Sequence, residues 1–343
     1  MANTVFSGIQ PSGIPHLGNY LGAIKAFAPL QMQHECLWCI VDMHAITVWQ
    51  EPKLLRRQTL ELAAALLACG IDHKNHILFH QSAVSAHARL AWIFNCVARI
   101  GWLNRMTQFK DKASKDRENF SAGLFIYPAL MAADILAYKA NLVPVGEDQQ
   151  QHLEFANDIA QKFNHDYAVS FFSPIQALIP QSAARIMSLR DGTKKMSKSD
   201  PSDQSRINLI DTNDQIKFKI QRAKTDSEPL PSDSAGLSNR PEAKNLVSMM
   251  GALTGQSLET ILSLYGGQSF SSFKKNLTDI IITIIEPIAN RISHILAEPD
   301  EIDKILTNGA QRAAFRADPI VAEIEYIVGF LSKKPQSIFI KQD

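Results

Sequence analysis

Residues 4 to about 190 alternate short apolar runs with segments of helical period, and this alternation limits the fold more than any other feature of the chain. Strands that alternate with helices build a parallel sheet, because each parallel connection must cross over one face of that sheet. Thr4–Phe6 reads as a short strand, Gly8–Gly18 as a glycine-bearing loop, and Leu21, Ile24 and Phe27 as one face of a helix. Leu37–Val41 reads as a buried strand, Leu54–Leu67 as a helix, and His76–Phe79 and Leu142–Val145 as further strands. After Asp200 the apolar residues recur three and four apart, and no strand is expected. Asp211–Asp214 reads as a helix start ahead of Ile216 and Ile220, with further helices around 244–253, 258–265, 273–297, 301–309 and 319–330. Ser227–Ser232, with prolines at 229 and 231, reads as a linker. The expected architecture is therefore an α/β half followed by an all-helical half, with no internal repeat.

Bulk composition narrows the class of function. The 343 residues are 45% hydrophobic and 20% charged, which excludes a disordered, collagen-like or coiled-coil chain. Lys and Arg number 35 against 34 Asp and Glu, a net charge of +1, so a polyanion site has to be local. The densest apolar run, Ile280–Ile282, is cut at Thr283 and Glu286, far short of the roughly 18 residues of a membrane span. Met1–Ser7 lacks a basic stretch ahead of an apolar one, so no secretory leader is expected. Cys36 and Cys39 have the spacing of a redox or zinc pair, but they sit in a strand-like run, where residues three apart face opposite ways. With Cys69 and Cys96 they are expected as free thiols of a reducing cytoplasm, and no metal site is expected.

Two segments carry chemistry. Gln10-Pro11-Ser12-Gly13-Ile14-Pro15-His16-Leu17-Gly18-Asn19 lies between a strand and a helix. A turn there exposes backbone N–H groups at the positive end of a helix, a setting that suits phosphate, and it matches neither the dinucleotide fingerprint nor the Walker loop. A plain Gly/Pro turn remains the other reading. Lys194-Lys195-Met196-Ser197-Lys198-Ser199-Asp200 follows Gly192 and reads either as a cationic loop able to close on a polyphosphate or as a solvated basic loop.

The pair together resembles the signature of the class I aminoacyl-tRNA synthetases. Lys195–Ser199 has that family's form letter for letter, and His16-Leu17-Gly18-Asn19 departs from it at Asn19, as in the tryptophanyl branch. Val41–Thr47, Tyr127–Leu136, Val143–Gln149 and Ala184–Leu189 each resemble segments of that branch, and the likeness runs over about residues 4–330. It implies a Rossmann-like catalytic domain over 1–200, with 75–170 as a connective, dimer-forming insertion, and a helical anticodon-binding domain over 201–343. Hence it implies a tryptophan–tRNA ligase: ATP-dependent formation of tryptophanyl-adenylate with release of pyrophosphate, then transfer to the terminal adenosine of tRNA(Trp), in a cytoplasmic homodimer that has no membrane partner.

The resemblance also assigns residues. His16, Lys195 and Lys198 would stabilise the charge that builds on the phosphates. Gln10, Pro11, Ser12, Gly18, Asn19, Gly146, Glu147, Asp148 and Ile186 would hold ATP, with Lys195, Met196, Ser197, Lys198 and Ser199, and Mg²⁺ would arrive with the nucleotide. Asp134, Tyr127, Met131, Gln149, Phe6 and His44 would hold tryptophan. Asp134 stands out on physical grounds alone. It interrupts an apolar helical run beside Met131, Ile135 and Leu136, a carboxylate there needs a donor, and Lys139 is poorly placed to be one. By resemblance the donor is the indole N–H; an internal ion pair is the alternative. Locally, residues 182–224 hold ten basic side chains against five acidic, and 99–117 hold six against two, patches suited to phosphate contacts or simply solvated. A tyrosine-specific ligase, a non-catalytic RNA-binding relative and a nucleotidyltransferase stay as competing readings.

Overall fold

The structure, a computed structural model, describes residues 3–106, 121–146, 149–178 and 185–331. Five parallel strands form one sheet: β1 (Thr4–Ile9), β2 (Glu35–Ile40), β3 (Ile77–His80), β4 (Leu142–Pro144) and β5 (Gln176–Leu178). Their order is β3-β2-β1-β4-β5. The chain thus winds outward from β1 in one direction to β3, then crosses back to β4 and β5. In open α/β sheets the point of reversal, here between the carboxyl ends of β1 and β4, leaves a crevice for ligands.

Helices cover both faces. They are α1 (Leu17–Gly22), α2 (Phe27–Gln31), α3 (Asp42–Ala45), α4 (Pro52–Ala68), α5 (Ala86–Val97), α6 (Ile100–Leu103), α7 (Ala122–Leu136) and α8 (Gln150–Asp166). The later half adds α9 (Asn213–Gln221), α10 (Pro241–Thr254), α11 (Leu258–Tyr265), α12 (Phe270–Leu296) and α13 (Pro299–Ile327). A sheet covered on both faces demands strands that are apolar throughout, and β2 is buried from Cys36 to Ile40. Cys36 and Cys39 enter two different apolar clusters, one on each face, so the pair cannot chelate or cross-link. The helical half joins the same cores: Ile216, Leu246 and Ile281 pack in the cluster of Val5 and Trp38, and Ala313 and Val321 in that of Phe6 and Phe79.

Several elements differ from the sequence reading. β1 runs on to Ile9, so the loop begins at Gln10. The single helix expected through Leu21, Ile24 and Phe27 is broken, because Gly22 ends α1 and Ala23, at φ −148° and ψ −58°, leaves the helical conformation before a 3-10 turn and α2. β5 was not expected; three residues long, it gives too little periodicity to detect. The two helices expected at 301–309 and 319–330 are one, α13, with Pro319 inside it rather than at a start. The lost N–H of Pro319 is outweighed by a continuous buried face, Ala310, Ala313, Ala317, Val321 and Ile324, seated beside Phe79 and Phe94. Among the described residues no single helix is long and apolar enough to cross a membrane.

Gly309 lets α13 lie directly on β3: a Cβ there would collide with the backbone carbonyl of Leu78. Gly309→Ala should therefore lower stability by about 3 kcal/mol or more, measured as the urea midpoint against the parent chain.

Candidate active site at the carboxyl ends of β1 and β4

A cavity of about 310 Å³ opens at the strand-order reversal. β1 contributes Phe6 and Gly8, with Gln10 just beyond it, and β4 contributes Val143 and Pro144, with Val145 beyond. The end of β2 gives Val41, and α3 gives His44. α7 closes one side with Leu124, Tyr127, Met131, Asp134 and Ile135, and Gln149 stands at the start of α8. All six residues expected to hold tryptophan line this one space. Gly8, Thr47, Val48, Leu124 and Ile135 complete the wall and were not singled out in the sequence. Gly8 is exposed on the floor, where a Cβ would press on Val41 Cγ1 at 3.0 Å.

Asp134 is buried at 2% exposure, and it is not alone. Its Oδ1 accepts from Gln81 Nε2 at 2.6 Å and from His87 Nδ1 at 2.7 Å. Its Oδ2 accepts from His44 Nε2 at 2.7 Å. The donor that the sequence could not name is thus internal, and it comes from α3, the turn after β3, and α5. Burial pushes the carboxyl up, but the charge and hydrogen bond of His44, joined by the hydrogen bond of His87, hold it below the ordinary carboxylate range. Lys139 is turned away toward Glu323 and the Phe171 ring. Because His44 lines the cavity while Gln81 and His87 are wholly buried behind it, Oδ2 is the oxygen beside the open space. Tyr127 shares a hydrogen bond with buried His152 of α8, and burial pushes its phenol up to about 12.

The two motifs meet. Gln10 lines the cavity, and a few residues on, Ser12 and Gly13 receive Lys198: its Nζ donates to Gly13 O at 2.7 Å and to Ser12 O at 3.0 Å. Gly13 has φ +81°, which favours glycine. His16 is the N-cap of α1. Its Nδ1 accepts the Asn19 N–H at 3.2 Å, and Asn19 Oδ1 accepts the His16 N–H at 3.1 Å. A neutral ring with Nδ1 accepting carries its proton on Nε2, which is then a donor. Burial first, then Lys198, Arg206 and Lys195, lowers the His16 pKa to about 4. A Cβ on Gly18 would crowd this ring at 3.1 Å. Burial also lowers Lys198 to about 8, in spite of Glu61. Lys195 is exposed, Met196 is buried, and Ser197 and Ser199 share a hydrogen bond.

The later half braces both motifs. Met196 N–H donates to Ile186 O at 3.0 Å, and Asn245 of α10 bonds the backbone of Met187 and Ser188. Leu17 N–H donates to Ile207 O, and Leu209 N–H to Pro15 O. Ile186 is a core residue whose carbonyl accepts one backbone hydrogen bond, from Met196. In the basic stretch 182–224 several cations are paired within the chain. Lys219 is buried between Asp203 and Asp211, Arg206 bonds Asp203 and Asp200 O, and Lys194, Lys217 and Lys224 each face a carboxylate. The acids are those of the stretch itself, Asp191, Asp203, Asp211 and Asp214, with Glu242 of α10 added for Lys224, and a count along the chain gives their number but not the pairing. Gly146 is exposed beyond β4, whereas Glu147 and Asp148 lie outside the described residues, as does most of the 99–117 patch.

A parallel sheet with a ligand crevice at its reversal, and a glycine turn and a lysine loop converging on a neutral histidine, is the arrangement of a nucleotide-binding site. Residues 1–286 match the family of tRNA synthetases class I (W and Y), and the chain belongs to that family. It is 54% identical over 346 residues to the tryptophan–tRNA ligase of Rhizobium meliloti, covering 95% of this chain and 98% of the relative. It resembles the crystal structure of tryptophanyl-tRNA synthetase from Mycoplasma pneumoniae with a TM-score of 0.86 at 32% identity, over 96% of this chain and 98% of that one. The tryptophanyl-tRNA synthetase of Campylobacter jejuni, solved with ADP and tryptophan, matches with a TM-score of 0.80 at 32% identity, over 95% and 100%.

The depressed His16 pKa has a thermodynamic consequence. The unfolded ring binds a proton below about 6.5 and the folded ring only below about 4, so stability is full above the first value and falls as pH drops toward the second. The loss should reach up to about 3 kcal/mol, from a shift of about 2.5 units at 1.36 kcal/mol each. Urea unfolding at about pH 4.5 and 7 should show it in the parent chain. It should shrink in His16→Asn, which keeps an N-cap acceptor but does not titrate.

Proposed function

We infer that this chain is a tryptophan–tRNA ligase that activates L-tryptophan with ATP and passes it to the terminal adenosine of tRNA(Trp). The observation that carries the reading is a buried, ionised Asp134 on the wall of a cavity, part apolar and part polar, at the strand reversal. An acceptor in such a place selects a ring that bears an N–H, because a ring without one leaves the carboxylate unpaired. Met131, Phe6, Val41 and Val143 supply the apolar walls, and Tyr127 and Gln149 stand where the ammonium and carboxylate of an amino acid can be held.

The reaction joins the amino-acid carboxylate oxygen to the α-phosphorus and breaks the bond to pyrophosphate. It needs no protein nucleophile, so the chain contributes position and charge. In this reading Gln10, Pro11, Ser12, Gly18, Asn19 and Gly146 flank the nucleotide, with Glu147 and Asp148. His16, neutral, donates from Nε2 to the phosphates, and Lys195 and Lys198 meet the charge that develops on the leaving group. Lys198, now on the carbonyls of Ser12 and Gly13, is already poised against the turn that would hold ATP. Mg²⁺ would be held by the nucleotide's own oxygens. Bound there it would offset the charge of the departing pyrophosphate. We assign the helical half to the tRNA anticodon and segment 75–170 to a homodimer contact, where exposed Trp92 and Ile100 are the apolar residues to be covered. The free thiols and the tRNA substrate fit work in the cytoplasm.

Pyrophosphate exchange with ATP, run with each of the twenty amino acids in turn, should be supported best by tryptophan; a preference for tyrosine would overturn the assignment. Asp134→Ala should reduce discrimination against phenylalanine at least about tenfold while leaving the KM for ATP within about twofold. Unchanged selectivity would remove Asp134 from the substrate site.

A further inference from the structure

We propose that His87 and Tyr138, neither of which borders the cavity, are positioning residues for amino-acid choice: through them Asp134 is presented to the substrate as a fixed, ionised acceptor. The proposal rests on the reading of Asp134 as the partner of the substrate ring N–H. Each carboxylate oxygen has two acceptor directions. On Oδ1 both are used, by Gln81 at 2.6 Å and His87 Nδ1 at 2.7 Å. On Oδ2 one is used by His44, and the other remains for a ligand. The carboxylate is thereby locked at its rear and open at its front.

The lock depends on the proton of His87. A carboxylate only accepts, so His87 Nδ1 carries an N–H, and in the neutral ring Nε2 then accepts from the Tyr138 hydroxyl at 2.8 Å. Burial pushes the Tyr138 phenol far up, so its O–H stays in place at every working pH. Tyr138 itself is held by rings: it stacks on Phe6 with centroids 5.8 Å apart and planes at 14°, and it meets Phe79 edge-on at 5.9 Å. Phe6 is a wall of the cavity. Ring packing therefore fixes the tyrosine, the hydroxyl fixes the histidine tautomer, and the histidine fixes the carboxylate.

Without that chain of contacts Asp134 is a fully buried acid, and burial drives it to take a proton. A protonated carboxyl loses acceptor strength where the ligand must bind. The titratable groups that face it are His44 of α3, His87 of α5 and the Cys39 thiol of β2, and Tyr138 lies beyond its own helix α7. Arg316 and Asp318 of α13 act on Tyr138 from behind, while His152 of α8 is engaged with Tyr127. Only His44 and the Gln81 amide are left to oppose burial once His87 no longer donates.

The test is tryptophan-dependent pyrophosphate exchange by the full chain from about pH 5.5 to 8.5, with KM taken for tryptophan and for ATP. Tyr138→Phe keeps both ring contacts and removes only the hydroxyl. It should raise the tryptophan KM about fivefold to tenfold near neutrality, with the KM falling as pH rises and Asp134 ionises, and the ATP KM within about twofold. The parent chain should lack that slope. His87→Leu should show a larger effect of the same form, and His87→Asn, which restores an N–H near Nδ1, a smaller one. If His87→Leu does not fold, Tyr138→Phe decides. A tryptophan KM raised equally at all pH values, or raised together with that for ATP, would overturn the proposal, as would a parent-like profile. Should Asp134→Ala also leave selectivity untouched, the reading of Asp134 itself fails; should Asp134→Ala abolish selectivity while Tyr138→Phe behaves as the parent, only the role of His87 and Tyr138 fails.

Discussion

The structure turns on a single buried negative charge. A carboxylate at 2% exposure costs several kcal/mol unless donors surround it. Asp134 has three, drawn from segments far apart in the chain: His44, Gln81 and His87. These contacts fix α3, the turn after β3, α5 and α7 relative to one another around the cavity. The charge that would choose a substrate also ties the walls of its pocket together. Specificity and local architecture share one set of hydrogen bonds.

A second theme is how far the helical half reaches into the reaction centre. Asn245 of α10 holds the base of the lysine loop, and residues 207–209 run beside the His16 turn as an antiparallel partner. Lys219 is buried between Asp203 and Asp211, and Asp211 in turn bonds Asn208. The two signature segments are thereby set against each other by residues that carry no chemistry of their own. Lys198 closing on Ser12 and Gly13 is the result.

Much of the site could be read before any coordinates. The glycine turn, His16 and the lysine loop are local patterns whose residue types follow from the chemistry of phosphate, and Asp134 stood out because a charge in an apolar helix face is rare. Its partners could not be read in the same way. His87 sits at helical spacing with Leu90 and Phe94, where a histidine looks like any core residue, and Gln81 lies in a short turn without periodicity. The continuous helix through Pro319 was also hidden, because a proline in sequence signals a start or a break and only the buried face of α13 reveals that neither occurs.

The sequence by itself determined the strand–helix alternation, the parallel sheet, and which residues could do chemistry, because those depend on period, turn residues and side-chain type within short windows. Only the tertiary structure decided what each of them meets. It gave Asp134 internal donors, gave Lys219 and Arg206 carboxylates in place of solvent, and took the Ile186 carbonyl into a backbone bond with Met196. The physical reason is that these contacts join separate turns and elements, from Asp203 and Arg206 three positions apart to His87 and Asp134 47 positions apart, and a hydrogen bond between them exists only after folding has brought those segments together.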